Sequence, residues 1–172
     1  MVIWITGLSG AGKTTIARGV YDLIRKTRNN VLRLDGDVLR YILGATAYSA
    51  VDRQQLAIQY SRLCQELSSQ GMIVVCATMS MFDVVRDWNR ANIEDYFEVY
   101  VKVSMDTLMS RDQKGIYSRA SAGTQANVVG LDIPLEEPKS PDFIAANDAG
   151  MDVEKVIDNV FRAICRYEEA KG

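Results

Sequence analysis

A glycine-rich pattern near the start of the chain restricts the fold more than any other feature of the sequence. Residues 7–14 read Gly-Leu-Ser-Gly-Ala-Gly-Lys-Thr, which fits the pattern GxxxxGK[ST]. A short apolar run, residues 2–6, comes before it, and a helical pattern over residues 14–26 follows it. A strand, a glycine turn and a helix in this order predict one unit of a parallel α/β sheet.

The same pattern, the P-loop, predicts a site for a nucleoside triphosphate. Its glycines let the backbone form a concave nest of N–H groups, and the following helix adds partial positive charge. Lys13 is expected to reach the β and γ phosphates, and the Thr14 hydroxyl to bind Mg²⁺. The residues predicted to bind ATP here are Gly7, Leu8, Ser9, Gly10, Ala11, Gly12, Lys13, Thr14 and Thr15.

Composition limits the other possibilities. A chain of 172 residues that is 48% hydrophobic predicts a single folded domain over residues 1–172. The net charge of −2 and the pI near 5.2 argue against a nucleic-acid or membrane partner. The chain has no histidine, which excludes Ser-His-Asp catalysis and His-ligated zinc. Three cysteines, an odd number with no CxxC pair, and no signal-peptide pattern at the start predict a cytoplasmic protein.

The rest of the chain continues the alternation of strands and helices. Apolar runs predict further strands over residues 31–34, 72–77, 96–103 and 142–146. Helical patterns cover residues 51–70, 82–93, 105–111 and 153–170. We therefore predict an α/β fold with a five-stranded parallel sheet flanked by five or six helices. Ligands are expected at the carboxyl ends of the strands.

Two carboxylates follow the second predicted strand, in the sequence Leu-Asp-Gly-Asp at residues 34–37. One carboxylate can orient the Mg²⁺ shell while the other accepts the proton of an attacking hydroxyl. We predict Asp37 as the base and Asp35 as the metal ligand, and the reverse assignment stays open. The chain has no NKxD-like guanine motif, and no acidic residue ends the strand at 72–77, so a kinase is favoured over a GTPase or a Walker-B ATPase.

Several cations are placed to bind anions. Arg40 and Arg53 carry guanidinium forks that suit phosphate or sulfate oxygens. Three further cations, Arg111, Lys114 and Arg119, fall within nine residues, at the start of a polar segment rich in glycine and proline. We predict that residues of about 111–141 form a basic lid, which closes over phosphates and excludes water.

Together these stretches resemble the adenylylsulfate (APS) kinase family over nearly the whole chain. The matching stretches are residues 7–15, 34–37, 48–49, 52–53, 97–101, 111–117 and 130–138. The resemblance implies a P-loop NTPase fold and transfer of the γ-phosphoryl group of MgATP to the ribose 3′-hydroxyl of APS. It also implies that Asp37 is the base or a metal carboxylate, that Arg40 and Arg53 contact the anionic group of the acceptor, and that Arg111 flanks the ATP adenine.

The acceptor side departs from the family pattern. Ser80 falls at a serine that some members are described as phosphorylating, but the neighbouring proline and arginine of the family are absent here. The family clamps the acceptor adenine between two aromatic rings, whereas this chain offers Tyr48 and Val128. Loss of one aromatic wall could remove about 1 kcal/mol of stacking. The residues predicted on this side are Arg40, Tyr48, Arg53, Ser80, Lys114, Arg119 and Val128.

The sequence leaves two possible acceptors and one other class of function open. APS is the family default, and the alternative is another 5′-linked nucleotide, above all cytidine 5′-diphosphoramidate. Kinases that resemble this family act on that compound in capsule phosphoramidate synthesis. A remote alternative is a module that binds ATP without turnover. In each enzymatic case the cofactors are ATP and Mg²⁺, the partner is a small nucleotide, and a homodimer is an open oligomeric state.

Overall fold

The computed structural model describes residues 1–171, except for the side chain of Lys114. Its five strands all run parallel and confirm the predicted sheet. In chain order they are β1 (Val2–Thr6), β2 (Val31–Asp35), β3 (Ile73–Ala77), β4 (Tyr96–Lys102) and β5 (Phe143–Ala146). Their order across the sheet is β2-β3-β1-β4-β5. Strands are therefore added to one side of β1 first and to its other side afterwards, so the strand order reverses at β1. Such a reversal opens a crevice at the carboxyl ends of the strands.

Seven α-helices accompany the strands. They are α1 (Lys13–Arg25), α2 (Gly36–Ile42), α3 (Ala50–Ser69), α4 (Asp83–Asn92), α5 (Met105–Arg111), α6 (Ile116–Ser121) and α7 (Val153–Glu169). Helix α1 packs against α7, and α3 packs against α4. The crossovers through α1 and α3 run in opposite directions across the sheet, so right-handed connections place these pairs on opposite faces. No helix within residues 1–171 is long and apolar enough to cross a bilayer.

The central strands explain why the sheet needs cover on both sides. Every residue of β1 and β3 is buried, and Trp4 is the largest fully buried side chain. Continuous apolar strands of this kind are typical of parallel sheets enclosed between two layers of helices. The register pairs Trp4 with Cys76 on one side and with Glu98 on the other.

Helices with a clear apolar stripe lie within one or two residues of their predicted bounds. Helix α3 begins at a capping box, in which Ser49 Oγ accepts the Asp52 N–H at 3.2 Å and Asp52 Oδ2 accepts the Ser49 N–H at 3.2 Å. It ends just before Gly71, whose φ of 84° lies in the left-handed region that suits glycine.

The sequence pattern does not predict α2 and α6. Helix α2 begins directly after β2, because Asp35 Oδ1 accepts the Asp37 N–H at 3.0 Å and caps the helix. Helix α6 lies in the polar segment, and the Asp112 carboxylate accepts the N–H groups of Tyr117 and Ser118 in its first turn. Both helices are shorter than two and a half turns, which is too short for a periodic apolar stripe to show in the sequence. A local side-chain contact defines each of them instead.

A buried ionic network ties α4 to the end of the polar segment. Glu98 on β4 is only 2% exposed, and its carboxylate lies 3.0 Å from Arg90 Nη2 and 3.9 Å from Arg86 Nε. Arg86 Nη2 also donates to the Glu136 carbonyl at 2.8 Å, and Arg90 pairs with Asp142 at 3.1 Å. Burial raises the pKa of the Glu98 carboxyl, and the two arginines oppose that rise. The network thereby fixes where residues 136–142 return to the sheet.

We expect Glu98→Ala to lower the free energy of unfolding by about 3 kcal/mol, because it removes the buried carboxylate that lies beside both Arg86 and Arg90. The matched control is Glu94→Ala, since Glu94 is exposed and forms no ion pair with any described residue. The control should stay within about 0.5 kcal/mol of the unmodified protein. Urea unfolding followed by circular dichroism measures both. Equal stability of the two variants would contradict the role given to the network.

Candidate functional site

One large cavity, of about 490 Å³, opens at the carboxyl ends of β1, β2 and β3. Its walls come from the β1–α1 turn, from the start of α2, from residues 77–80 after β3, and from residues between 113 and 129. These are the segments in which the sequence places its motifs. The strand order therefore brings the P-loop, the two carboxylates and part of the predicted lid to one cavity.

The P-loop supplies one end of the cavity. Ser9, Gly10, Gly12, Lys13, Thr14 and Thr15 line it, whereas Gly7, Leu8 and Ala11 lie outside the lining and support the turn from behind. Gly12 precedes α1 with a φ of 96°, and a Cβ there would lie 2.5 Å from Asn147 Nδ2. Only glycine fits this position without displacing Asn147.

Three side chains donate hydrogen bonds to the carbonyl groups of the P-loop, two of them from outside the motif. Asn147 Nδ2 donates to the Ala11 carbonyl at 2.8 Å, and the Tyr117 hydroxyl donates to the Ser9 carbonyl at 2.9 Å. Lys13 Nζ donates to the Leu8 carbonyl at 2.8 Å. Burial raises the pKa of Tyr117 to about 12, so its hydroxyl stays a donor at neutral pH. Sequence reasoning did not assign Asn147 or Tyr117 to the site.

The two predicted carboxylates occupy different positions. Asp35 Oδ2 accepts the Thr14 hydroxyl at 2.8 Å, and Asp35 Oδ1 caps α2. Asp37 lies on the first turn of α2, is exposed and lines the cavity. This hydrogen bond joins Thr14 and Asp35, the two residues predicted to bind the metal, while Asp37 lines the same cavity.

The acceptor-side arginines meet at Tyr48. The Cζ atom of Arg40 lies 4.5 Å from the centroid of the Tyr48 ring, and that of Arg53 lies 5.2 Å from it. Arg40 also donates to the Ala47 carbonyl at 2.8 Å, and Arg53 donates to the carbonyls of Tyr48 at 3.0 Å and Asn127 at 2.9 Å. All three side chains line the cavity.

Val128 also lines the cavity and is 5% exposed. The Asp132 carboxylate accepts the N–H groups of Asn127 and Val128 and so fixes the turn that carries Val128. Nearby, the Tyr60 hydroxyl donates to the Gly36 carbonyl at 3.1 Å, and burial raises its pKa to about 12. Tyr60 also lines the cavity and was not predicted.

The remaining predicted residues differ in their placement. Ser80 borders the cavity but is fully buried, with its hydroxyl 3.2 Å from that of Thr78. Arg119 is exposed and lines the cavity. Arg111 does not line it, and its Nη2 instead donates to the Asn147 carbonyl at 2.8 Å. The Lys114 side chain lies outside the described part of the chain.

Comparisons with known proteins agree on one family. A family profile described as Adenylylsulphate kinase matches residues 1–146. The chain is 37% identical over 163 residues to a cytidine diphosphoramidate kinase of Campylobacter jejuni, covering 95% of both chains. It is 32% identical over 173 residues to an adenylyl-sulfate kinase of Halothermothrix orenii, covering 100% of this chain and 91% of the relative.

A solved structure gives the same result. The APS kinase of Mycobacterium tuberculosis, in complex with AMPPNP and APS, superposes with a TM-score of 0.87 at 28% identity. The match covers 95% of this chain and 96% of the other.

We expect Gly12→Ala to weaken ATP binding about tenfold or more, because a left-handed alanine costs about 1–3 kcal/mol and its Cβ displaces Asn147. The matched control is Gly71→Ala, which has a similar φ of 84°, nothing within 4 Å of its Cβ, and a position outside the cavity. Isothermal titration calorimetry with ATP measures both variants. If Gly12→Ala binds ATP as tightly as the control, the steric argument fails.

Proposed function

Because the chain belongs to the adenylylsulfate kinase family and is an ATP-dependent phosphotransferase, we propose that it phosphorylates the 3′-hydroxyl of a small 5′-linked nucleotide. One observation carries this proposal. Thr14 of the P-loop donates to Asp35, and Lys13, Asp35 and Asp37 line the same cavity. A donor phosphate and an acceptor hydroxyl can therefore meet beside a general base.

In the proposed step, the 3′-hydroxyl oxygen of the acceptor attacks the γ-phosphorus of ATP. A new oxygen–phosphorus bond forms while the bond from the γ-phosphorus to its bridging oxygen breaks, and ADP leaves with that electron pair. The hydroxyl proton passes to the carboxylate of Asp37. The ammonium group of Lys13 stabilises the negative charge on the transferred group, which is the dominant type of contribution in phosphoryl transfer.

The residues beside the P-loop fit Mg²⁺. The Thr14 hydroxyl and the Asp35 carboxylate are hard oxygen donors 2.8 Å apart, and they would hold the ion. No cluster of three or more His, Cys, Asp or Glu side chains among residues 1–171 is arranged for a metal. This suits Mg²⁺, which usually takes one or two protein oxygens together with substrate phosphates and water. When bound, the ion neutralises charge on the β and γ phosphates.

We further propose that residues 111–141 act as a lid within one kinase domain over residues 1–172. Tyr117 anchors this segment to the P-loop through the Ser9 carbonyl, and Arg119 lines the cavity at its mouth. Closure over the phosphates would exclude the water that otherwise hydrolyses ATP. Arg111, held against Asn147 beside the P-loop, would flank the adenine from outside the cavity.

The acceptor is APS, the family default, or cytidine 5′-diphosphoramidate. The buried Val128 favours the second, because a cavity with one aliphatic wall suits a pyrimidine better than a purine. The similarity to the Campylobacter jejuni enzyme supports the same choice. Release of ADP with each acceptor tests the proposal. Absence of ADP with both would favour the non-catalytic ATP-binding module.

We also propose that the reaction takes place in the cytoplasm. The three free cysteines suit the reducing cytoplasm, where ATP is available. Exposed apolar side chains on α2, among them Tyr41 and Ile42, would support a homodimer. Light scattering measures that state directly.

We expect Asp37→Asn to lower kcat about 100-fold or more, because the amide cannot accept the hydroxyl proton. The Michaelis constant for ATP should change less than about threefold, since the P-loop is intact. Asp35→Asn is the companion variant and should instead raise the Mg²⁺ concentration needed for activity. Steady-state kinetics with a magnesium titration separates the two. Loss of kcat in Asp35→Asn alone would reverse the two assignments.

We expect Val128→Phe to raise kcat/KM for APS relative to the cytidine acceptor by about three- to tenfold, because the ring restores a second aromatic wall. Val128→Leu is the control, since it adds volume without an aromatic face. Kinetics with both acceptors at saturating ATP measures the ratio. If the unmodified enzyme turns over APS efficiently and Val128→Phe leaves the ratio unchanged, APS becomes the favoured acceptor.

A further inference from the structure

The residue between the two carboxylates of the site is held by two contacts. Gly36 separates Asp35 from Asp37, and a Cβ on Gly36 would lie 3.0 Å from Thr78 Oγ1, so its backbone packs closely against the end of β3. In addition, the Tyr60 hydroxyl donates to the Gly36 carbonyl at 3.1 Å. A carbonyl oxygen has two lone pairs, so it can accept this bond together with one from within the helix. These contacts constrain the first residue of α2.

Helix α2 has little packing of its own. It has seven residues, of which only Leu39 is buried, whereas Tyr41 is 87% exposed and Ile42 is 67% exposed. Short helices in proteins are stabilised by tertiary packing more than by their intrinsic propensity. Because so little of α2 is buried, the polar contacts at its start determine where Asp37, on its first turn, is placed.

Tyr60 is itself held firmly and remains a hydrogen-bond donor. It lies in the middle of α3, is 4% exposed and lines the cavity. Helix α3 packs against β3 and α4, so the close-packed core fixes the position of the ring. Burial raises the pKa of the Tyr60 hydroxyl to about 12, with Arg40 opposing the rise and Asp37 adding to it. The hydroxyl therefore keeps the proton that it donates to Gly36 at neutral pH.

We propose that Tyr60 is a positioning residue, which holds the first turn of α2 and thereby directs the carboxylate of Asp37 toward the acceptor hydroxyl. Tyr60 acts through the Gly36 carbonyl and takes no proton itself. Its effect falls on kcat, because displacing a reacting group by about 1 Å can cost about 100-fold in rate. The assignment of Asp37 as the base rests on the proposed function, whereas the contact that holds α2 does not depend on it.

The test removes this hydroxyl and compares the result with the loss of a matched hydroxyl elsewhere. Tyr60→Phe keeps the buried ring and deletes the bond to Gly36. The control is Tyr167→Phe, because the Tyr167 hydroxyl also donates to a backbone carbonyl, that of Tyr96 at 3.0 Å, and lies outside the cavity. Each variant loses one neutral hydrogen bond, so a loss of stability alone would affect the two variants alike.

Steady-state kinetics of ADP release, with APS and with cytidine 5′-diphosphoramidate, gives the first measurement. We expect Tyr60→Phe to lower kcat about tenfold, while the Michaelis constants for ATP and acceptor change less than about twofold. Tyr167→Phe should leave all three constants unchanged. In the Asp37→Asn background, Tyr60→Phe should lower the remaining kcat by less than about twofold, because the group that it positions is no longer a base.

Hydrogen exchange gives a second measurement, which does not depend on turnover. We expect Tyr60→Phe to speed amide exchange at residues 36–42 about tenfold, because α2 loses one of the few contacts that hold it. Tyr167→Phe should leave exchange in α2 unchanged. Mass spectrometry of peptides that contain α2 measures both variants.

The outcomes separate this role from the proposed function. Unchanged exchange in α2 would overturn the positioning role, whichever nucleotide the enzyme phosphorylates. An unchanged kcat, or an equal loss of kcat with and without the Asp37 carboxylate, would also overturn it. A loss confined to the Michaelis constant of the acceptor would make Tyr60 a substrate contact instead. Faster exchange in a protein that releases no ADP with any nucleotide would support the hold on α2 and reject the proposed function.

Discussion

The carboxylate of Asp35 is the interaction on which the geometry of the site depends. One oxygen accepts the Thr14 hydroxyl of the P-loop, and the other accepts the Asp37 N–H and starts α2. The same side chain thus sets the position of Asp37, the proposed general base, relative to the P-loop. Arg40 follows Asp37 by three residues on α2, so it shares that face of the helix. The donor and acceptor halves of the cavity are aligned through a single residue.

The P-loop has a second requirement, which is that its carbonyl groups be occupied. Tyr117, Asn147 and Lys13 donate to the carbonyls of Ser9, Ala11 and Leu8. Because these carbonyls already accept hydrogen bonds, the backbone N–H groups are what the loop offers to phosphate oxygens. Since Tyr117 belongs to the predicted lid, the position of the lid and the shape of the phosphate nest are physically linked.

The parts of the molecule that the sequence predicts are those encoded by local patterns. The five strands and the long helices follow from apolar runs and stripes, and the P-loop follows from eight consecutive residues. The sequence pattern does not predict helices α2 and α6, because single carboxylates, Asp35 and Asp112, begin them. The contact of Asn147 with the P-loop is not predicted for another reason. Asn147 is 136 residues from the carbonyl that it contacts, and a local sequence pattern gives no information about so distant a pair.

The two halves of the site are built from different kinds of structure. The proposed donor half lies at the carboxyl ends of β1, which is fully buried, and of β2, so a change of position there would disturb the sheet. The acceptor half is formed by residues 40–53 and 127–129, which lie in loops and helix ends outside the sheet. Loops of this kind can change a wall, as at Val128, without moving the P-loop. A local motif is therefore enough to indicate the type of reaction, whereas the choice of acceptor depends on single side chains in the loops.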